Sequence, residues 1–337
     1  MSSFRFNFVS QDGNITTFND VEEIEKWQNE DGYIWLAYFR PSYEELSKLE
    51  DKFQINKLTI EDCLDDDQVP KVDDNKDYAH IVFNKFSYLN KHFNVDEMHL
   101  IIGEKFLITV LNHKNDTDEE FIDEFLSLVN LYIETVKLGP AYGLHLFLDN
   151  LVDEKFAGIE WVSEALLDLE SSIIAESKDF DATELQKIRK DMNDIRKSIF
   201  YERENILKIL RGDIIFIPDE ALIQYRDIYD HLNKYSEMIK VNKEIETNLI
   251  NINLSLLNNK MAYSANQTNN SVKRLTLITT IFMPLTLITG FFGMSEYTMM
   301  TSKFGLGPAY FGIAALMLGI SLVSLAIIRW LGRNDTK

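Results

Sequence analysis

The spacing of apolar positions changes along the chain. In the first 115 residues, alternating or β-rich runs occur at Phe4–Val9, Tyr33–Tyr38, His80–Tyr88, Met98–Ile102 and Phe106–Leu111. Such runs predict strands, and the first reads as a strand and not as a signal peptide. Pro41-Ser42 followed by Glu44 and Glu45 reads as a helix start, as does Thr59-Ile60-Glu61-Asp62. From about Asp118 the pattern turns helical. Glu160–Glu176 and Ala182–Leu210 are rich in Leu, Ile, Lys and Glu, with no Pro or Gly inside. Gly212 and Pro218 punctuate, and Asp219 then opens a stretch free of both until Pro284. Ile228, Leu232, Tyr235 and Ile239, then Ile245, Leu249, Ile252 and Leu256, keep steps of four and three, which predicts a long helix packed along one seam. The alternative is an ordinary helical bundle with a separate hairpin anchor.

Two uncharged runs of 20 residues follow, Leu275–Met294 and Ala309–Ile328. As helices each spans about 30 Å, the thickness of a bilayer's hydrocarbon core. Lys273 and Arg274 precede the first run, Arg329, Arg333 and Lys337 follow the second, and only Lys303 lies between. That asymmetry predicts both termini in the cytoplasm, with Tyr310 and Trp330 at the membrane interfaces. The expected organisation is a cytoplasmic α/β domain (1–115), a cytoplasmic helical region (116–218), and a stalk helix continuing into the first span (219–294). An external loop (295–308), a second span (309–328) and a basic cytoplasmic tail (329–337) complete it. The fold class is an α+β membrane protein.

Charge sharpens the contrast between the two ends. The 337 residues carry 34 Lys and Arg against 54 Asp and Glu, a formal net charge of −20. Beyond Arg274 only Glu296, Lys303, Arg329, Arg333, Asp335 and Lys337 are charged, so the acidity belongs to residues 1–274. This excludes a nucleic-acid binder, which needs clustered basic residues. The acidic body has two readings, solubility alone or a surface that meets cations. A single cysteine, Cys63, excludes a disulfide scaffold and any CxxC metal site. There is no glycine-rich phosphate loop, no G-x-S-x-G and no HExxH. His80, His92, His99, His113, His145 and His231 are scattered and read as surface or packing residues. No enzyme is expected.

The first span is mildly polar. Asn269, Val272, Thr276, Thr279, Met283, Thr286 and Gly290 step by three and four residues, which sets them on one helix face. Threonine is tolerated in membrane helices because its hydroxyl bonds back to its own backbone. The same stripe, repeated around an axis, can also enclose a pore, which favours a symmetric oligomer.

Leu275-Thr276 through Ile281-Phe282-Met283-Pro284-Leu285-Thr286, then Gly290-Phe291-Phe292-Gly293-Met294, resembles the pore helix of the CorA-type magnesium channels. Asn266-Gln267-Thr268-Asn269, Thr59-Ile60-Glu61-Asp62-Cys63 with Pro70-Lys71-Val72-Asp73, and Arg226-Asp227-Ile228-Tyr229-Asp230-His231 fit in order over nearly the whole chain. The resemblance implies a homopentamer in the plasma membrane, a funnel of long helices and a gated path for Mg²⁺. The family's Gly-Met-Asn signature is here Gly293-Met294-Ser295. A ring of Ser295 hydroxyls can accept from the waters of a hydrated Mg²⁺, though it is shorter than an Asn ring. Glu296 either attracts cations to the mouth or is a solvated loop residue. The resemblance further implies a gate of apolar side chains at Val272, Leu275 and Met283. It also implies regulatory divalent sites between subunits, one at Asp62 with Asp227, the other at Glu61, Asp149 and Asp227. Taken alone, Asp62 reads as a helix-start residue and Asp227 as a solvated helix carboxylate. A transporter of Zn²⁺, Co²⁺ or Ni²⁺, and a cation-sensing membrane protein that no longer conducts, are the competing expectations.

Overall fold

A computed structural model describes residues 3–18, 20–27, 29–65, 68–89, 92–112, 119–174, 182–294 and 306–334. The chain divides into two compact units, 1–251 and 252–337.

The first unit is built on a mixed seven-stranded sheet. Its strands are β1 (Ser3–Ser10), β2 (Ile15–Phe18), β3 (Gly32–Phe39), β4 (Val72–Asp74), β5 (Ala79–Leu89), β6 (His92–Ile102) and β7 (Phe106–Asn112), in the order β2-β1-β3-β7-β6-β5-β4. Among the described strands only β3 and β7 pair in parallel. All but Gly32 of β3 is buried, as expected of a strand covered on both faces. Ile34, Leu36 and Tyr38 face a core closed by α1 (Ile24–Trp27), α2 (Tyr43–Phe53) and α3 (Lys57–Asp62). Trp35 faces the other way, its ring 5.2 Å from Phe147 of α6 (Pro140–Ile174).

Local chemistry sets the helix boundaries. Ser42 and Glu45 form a reciprocal capping box at the start of α2. The start expected at Thr59 lies inside α3 instead. Asn56 caps that helix, and Asp62 is its last residue. Two short helices, α4 (Glu119–Leu131) and α5 (Ile133–Val136), lead into α6. α7 (Ala182–Leu210) ends where Gly212 takes a left-handed φ of 77° and Asp213 N–H returns to the Lys208 carbonyl. A short 3-10 turn, Asp219–Ala221, opens α8 (Leu222–Phe292).

The buried seam of α8 corrects the expected one. Ile228, Leu232, Tyr235, Ile239 and Leu249 are buried, but between them the seam passes through Asn242 and Glu246, while Ile245 is only half-buried. Both polar residues have partners. Asn242 Oδ1 accepts from Ser163 of α6, and Glu246 is bound by Arg189 of α7 at 2.5 Å and by Lys243 at 2.7 Å. A second buried network ties sheet to helices. Lys155 Nζ donates to the Asn84 carbonyl, and Glu202 Oε1 lies 3.3 Å from it while accepting from Asn84 N–H and Ser198.

The second unit contains the rest of α8 and α9 (Leu306–Asn334). Among the described residues, α8 is the one helix long and apolar enough to cross a membrane, and none of its apolar window is buried by its own chain. α9 carries a shorter apolar run, Tyr310–Ala326. Pro284 lies inside α8.

Candidate metal-ion sites and ion path

Helix geometry assembles an acidic cluster in the first unit. Asp227 and His231 are one turn apart on α8, and Asp149 comes from α6. The ligand atoms of all three lie within 4.8 Å of one another. Asp153, one turn after Asp149, has a carboxylate oxygen 3.9 Å from His231 Nδ1. Asp149 and Asp153 line a cleft of about 280 Å³ with His145, Tyr142 and Gln224. Burial, and then the Asp153 charge, push the Asp149 carboxyl up to about 6, and Asp227 adds to the rise while His231 opposes it. Asp149 Oδ1 and His231 Nδ1 are buried without a hydrogen-bond partner among the described residues. Atoms of this kind fit a divalent cation, which would supply the missing counter-charge.

The structure thus brings together two of the four expected carboxylate ligands, Asp149 and Asp227. His231 completes the group, and the sequence signal for it was its step of four from Asp227. Glu61 and Asp62 sit elsewhere in the chain, on α3. Glu61 is exposed and 3.7 Å from Lys57. Asp62 Oδ2 is 2.5 Å from Lys71 Nζ, which also reaches Asp73 at 3.2 Å. A lysine ammonium therefore already neutralises Asp62 within its own chain.

On α8, Asn269, Val272, Leu275, Thr276, Thr279, Met283 and Gly290 are all exposed in the single chain, as is Thr286. The threonine hydroxyls donate to their own helix. Thr276 bonds Val272 O at 2.9 Å, Thr279 bonds Leu275 O at 2.8 Å, and Thr286 bonds Phe282 O at 2.8 Å. Their donors are thus engaged, and the oxygen lone pairs remain to accept. Nothing lies within 4 Å of a Cβ placed on Gly290. Gly293 and Met294 form the turn that ends the helix, with Gly293 N–H bonded to Thr289 O. Ser295, Glu296 and Lys303 lie outside the described residues, as does the side chain of Trp330.

A family model described as "CorA-like Mg2+ transporter protein" matches residues 30–330, nearly the whole chain. The chain belongs to the CorA family. It is 28% identical to YfjQ of Bacillus subtilis over 301 residues, covering 89% of each chain. It is 27% identical to the cobalt/magnesium transport protein CorA of Thermotoga maritima, covering 83% of this chain and 78% of that one. The complete structure of the CorA magnesium transporter from Methanocaldococcus jannaschii superposes with a TM-score of 0.69 at 22% identity, covering 97% of both chains. That likeness shows the fold. Family membership places the chain among membrane-bound metal-ion transporters.

Proposed function

We propose that the chain is one subunit of a homopentameric channel in the plasma membrane that admits Mg²⁺ and is closed by internal Mg²⁺. The observation that carries this is the apolar part of α8, most of whose large side chains stay exposed in the single chain, in a member of a Mg²⁺ transporter family. Such a surface is stable only against lipid or further copies. With both α8 and α9 spanning the membrane, the basic residues at their outer flanks hold both termini in the cytoplasm.

Five copies of α8 would turn Asn269, Thr276, Thr279, Thr286 and Gly290 toward a shared axis. Threonine oxygens accept from the waters of a hydrated ion, and Gly290 leaves room for them. Val272, Leu275 and Met283 narrow the path with apolar side chains, which block a hydrated ion by dewetting. Gly293, Met294, Ser295 and Glu296 form the outer mouth, where Ser295 hydroxyls hold the ion through its water shell. An inside-negative potential contributes about 2.3 kcal/mol per charge per 100 mV to inward movement.

Closure would use the cytoplasmic carboxylates. Asp149 and Asp227 present ligand atoms from one subunit, and Glu61 and Asp62 approach from its neighbour. Bound Mg²⁺ supplies the positive charge that lets these carboxylates sit close across the interface. Without it Asp149, Asp227 and Glu61 repel, the subunits loosen and the gate wets. The presence of His231 in the cluster favours a second reading, since imidazole adds affinity for Co²⁺, Ni²⁺ and Zn²⁺ that Mg²⁺ does not share.

Divalent uptake into liposomes holding the full chain tests the proposal, with Mg²⁺, Co²⁺, Ni²⁺ and Zn²⁺ compared under an imposed potential. Saturable Mg²⁺ entry that follows the potential is expected. Entry of Zn²⁺ alone, or entry that follows a proton gradient, would favour the second reading, and silence with every ion would leave only a sensor. The Asp62→Ala/Asp227→Ala double variant should lose inhibition by internal Mg²⁺ and protection by Mg²⁺ against protease. Unchanged protection would remove these carboxylates from the sensor.

A further inference from the structure

Cys63, His80 and His99 form a second metal-ligating group, and all three are buried. Strand register makes the histidine pair. In the antiparallel β5–β6 ladder His80 faces Ile101 and His99 faces Val82, so the two rings are diagonal neighbours on one side of the sheet. They stack with centroids 5.3 Å apart, and His80 Nε2 lies 3.1 Å from His99 Nδ1. Cys63 is delivered from above as the C-cap of α3. Its N–H bonds the Thr59 carbonyl, and its own carbonyl accepts from Asn112 Nδ2. The thiol Sγ then lies 3.9 Å from His80 Nε2.

These spacings approach those of a coordination tetrahedron. Bond lengths usual for zinc place two nitrogens about 3.3 Å apart and a nitrogen and sulfur about 3.6 Å apart. Packing alone leaves one atom unexplained. His99 Nε2 is buried with no hydrogen-bond partner among the described residues, a costly state for a polar atom. It lies 4.0 Å from Glu97 Oε2. If Nδ1 of His99 is a ligand, the ring proton must sit on Nε2, facing that carboxylate. A histidine ligand whose far nitrogen donates to a carboxylate is a common metal-site arrangement.

We propose that Cys63, His80 and His99 bind a borderline divalent ion, Zn²⁺ best of all, with Glu97 orienting His99 from behind. Two imidazoles and a thiolate suit Zn²⁺, Co²⁺ or Ni²⁺ and do not suit Mg²⁺, which takes oxygen ligands, so this site is separate from the proposed Mg²⁺ path. Coordination forms one sulfur–metal bond and releases the thiol proton to solvent. The bound ion would pin α3, which carries Glu61 and Asp62, to β5 and β6.

Cobalt substitution tests the site on the full chain. Protein purified in detergent from cobalt-supplemented cells, then washed with chelator, should show a sulfur-to-cobalt charge-transfer band. Oxygen sites give no such band, and Cys63 is the only cysteine in the chain. Protein from zinc-supplemented cells should retain one Zn²⁺ per chain through the same wash. Cys63→Ser should abolish the band, and Glu97→Gln should keep it while weakening metal retention about 10–100-fold. A wild-type protein with retained cobalt but no band overturns the proposal, as does equal zinc retention in Cys63→Ser. The wild-type band stands whether or not the variants fold. None of these readouts depends on flux, so this site and the transport proposal can fail separately.

Discussion

Asp149 is a carboxylate held partly out of water beside two like charges, and its proton is the competitor of any ion that binds there. With its carboxyl pushed up to about 6, it is ionised at neutral pH and increasingly protonated below. A ligand must shed that proton, so protection by Mg²⁺ should weaken by up to about tenfold per unit as pH falls from about 6 toward 5, and should be flat above about 7. The check is the half-protective Mg²⁺ concentration in limited proteolysis at each pH. Asp149→Asn should be weaker throughout and lose this pH dependence, and an unchanged profile would place the competing proton elsewhere. At the proposed outer mouth, Ser295→Asn should lower the half-saturating Mg²⁺ for uptake roughly tenfold. An Asn oxygen reaches further toward the axis, and five added water contacts of a few tenths each total about 1–2 kcal/mol. Equal affinity in both proteins would move selection to Glu296 or Thr286.

Between elements, the network of Lys155, Glu202, Asn84 and Ser198 joins α6 and α7 to β5 at a point closed to solvent. Burial pulls the Lys155 ammonium down and pushes the Glu202 carboxyl up, so each ion depends on the other. Lys155→Met alone should cost about 3–5 kcal/mol in thermal or denaturant unfolding, because it strands Glu202. Adding Glu202→Gln should restore part of that loss, and a harmless single variant would contradict the coupling. Much at this scale was legible in the sequence. β3 and β7 announce themselves as runs of β-branched and aromatic residues, and Ser42 with Glu45 marks α2. β2 and β4, with four and three residues, are too short to show a period. The seam at Asn242 and Glu246 was hidden because a polar residue enters a seam only when partners such as Ser163 and Arg189 are in place, and those lie 79 and 57 residues away. The Cys63, His80 and His99 group was hidden for a related reason. It exists only once β5 and β6 are in register and α3 is laid over them.

For the whole molecule, the question is what covers the second unit. Val272, Leu275, Ile278, Phe282, Met283, Leu287 and Phe291 are all more than half exposed in the single chain. On the proposed assembly, a detergent-solubilised particle should contain five copies by mass measurement, and a monomer or dimer that still conducts would rule out a shared pore. The family could be recognised from sequence because its motifs are local runs on α3 and α8. The ring they are proposed to form is a property of several chains, which one sequence does not display.

The polar seam of α8 also restricts how that helix can move within the first unit. Sliding it lengthwise by one turn would carry Glu246 about 5.4 Å from the Arg189 guanidinium and draw Asn242 off Ser163. Slippage would therefore break the Arg189 pair and leave Glu246 only Lys243, which travels on the same helix, as its counter-ion. Tilting about the same contact keeps both pairs and incurs no such penalty. The two polar residues act as a detent, so a displacement of α8 begun near Asp227 would proceed as a tilt about this contact and not as a ratchet.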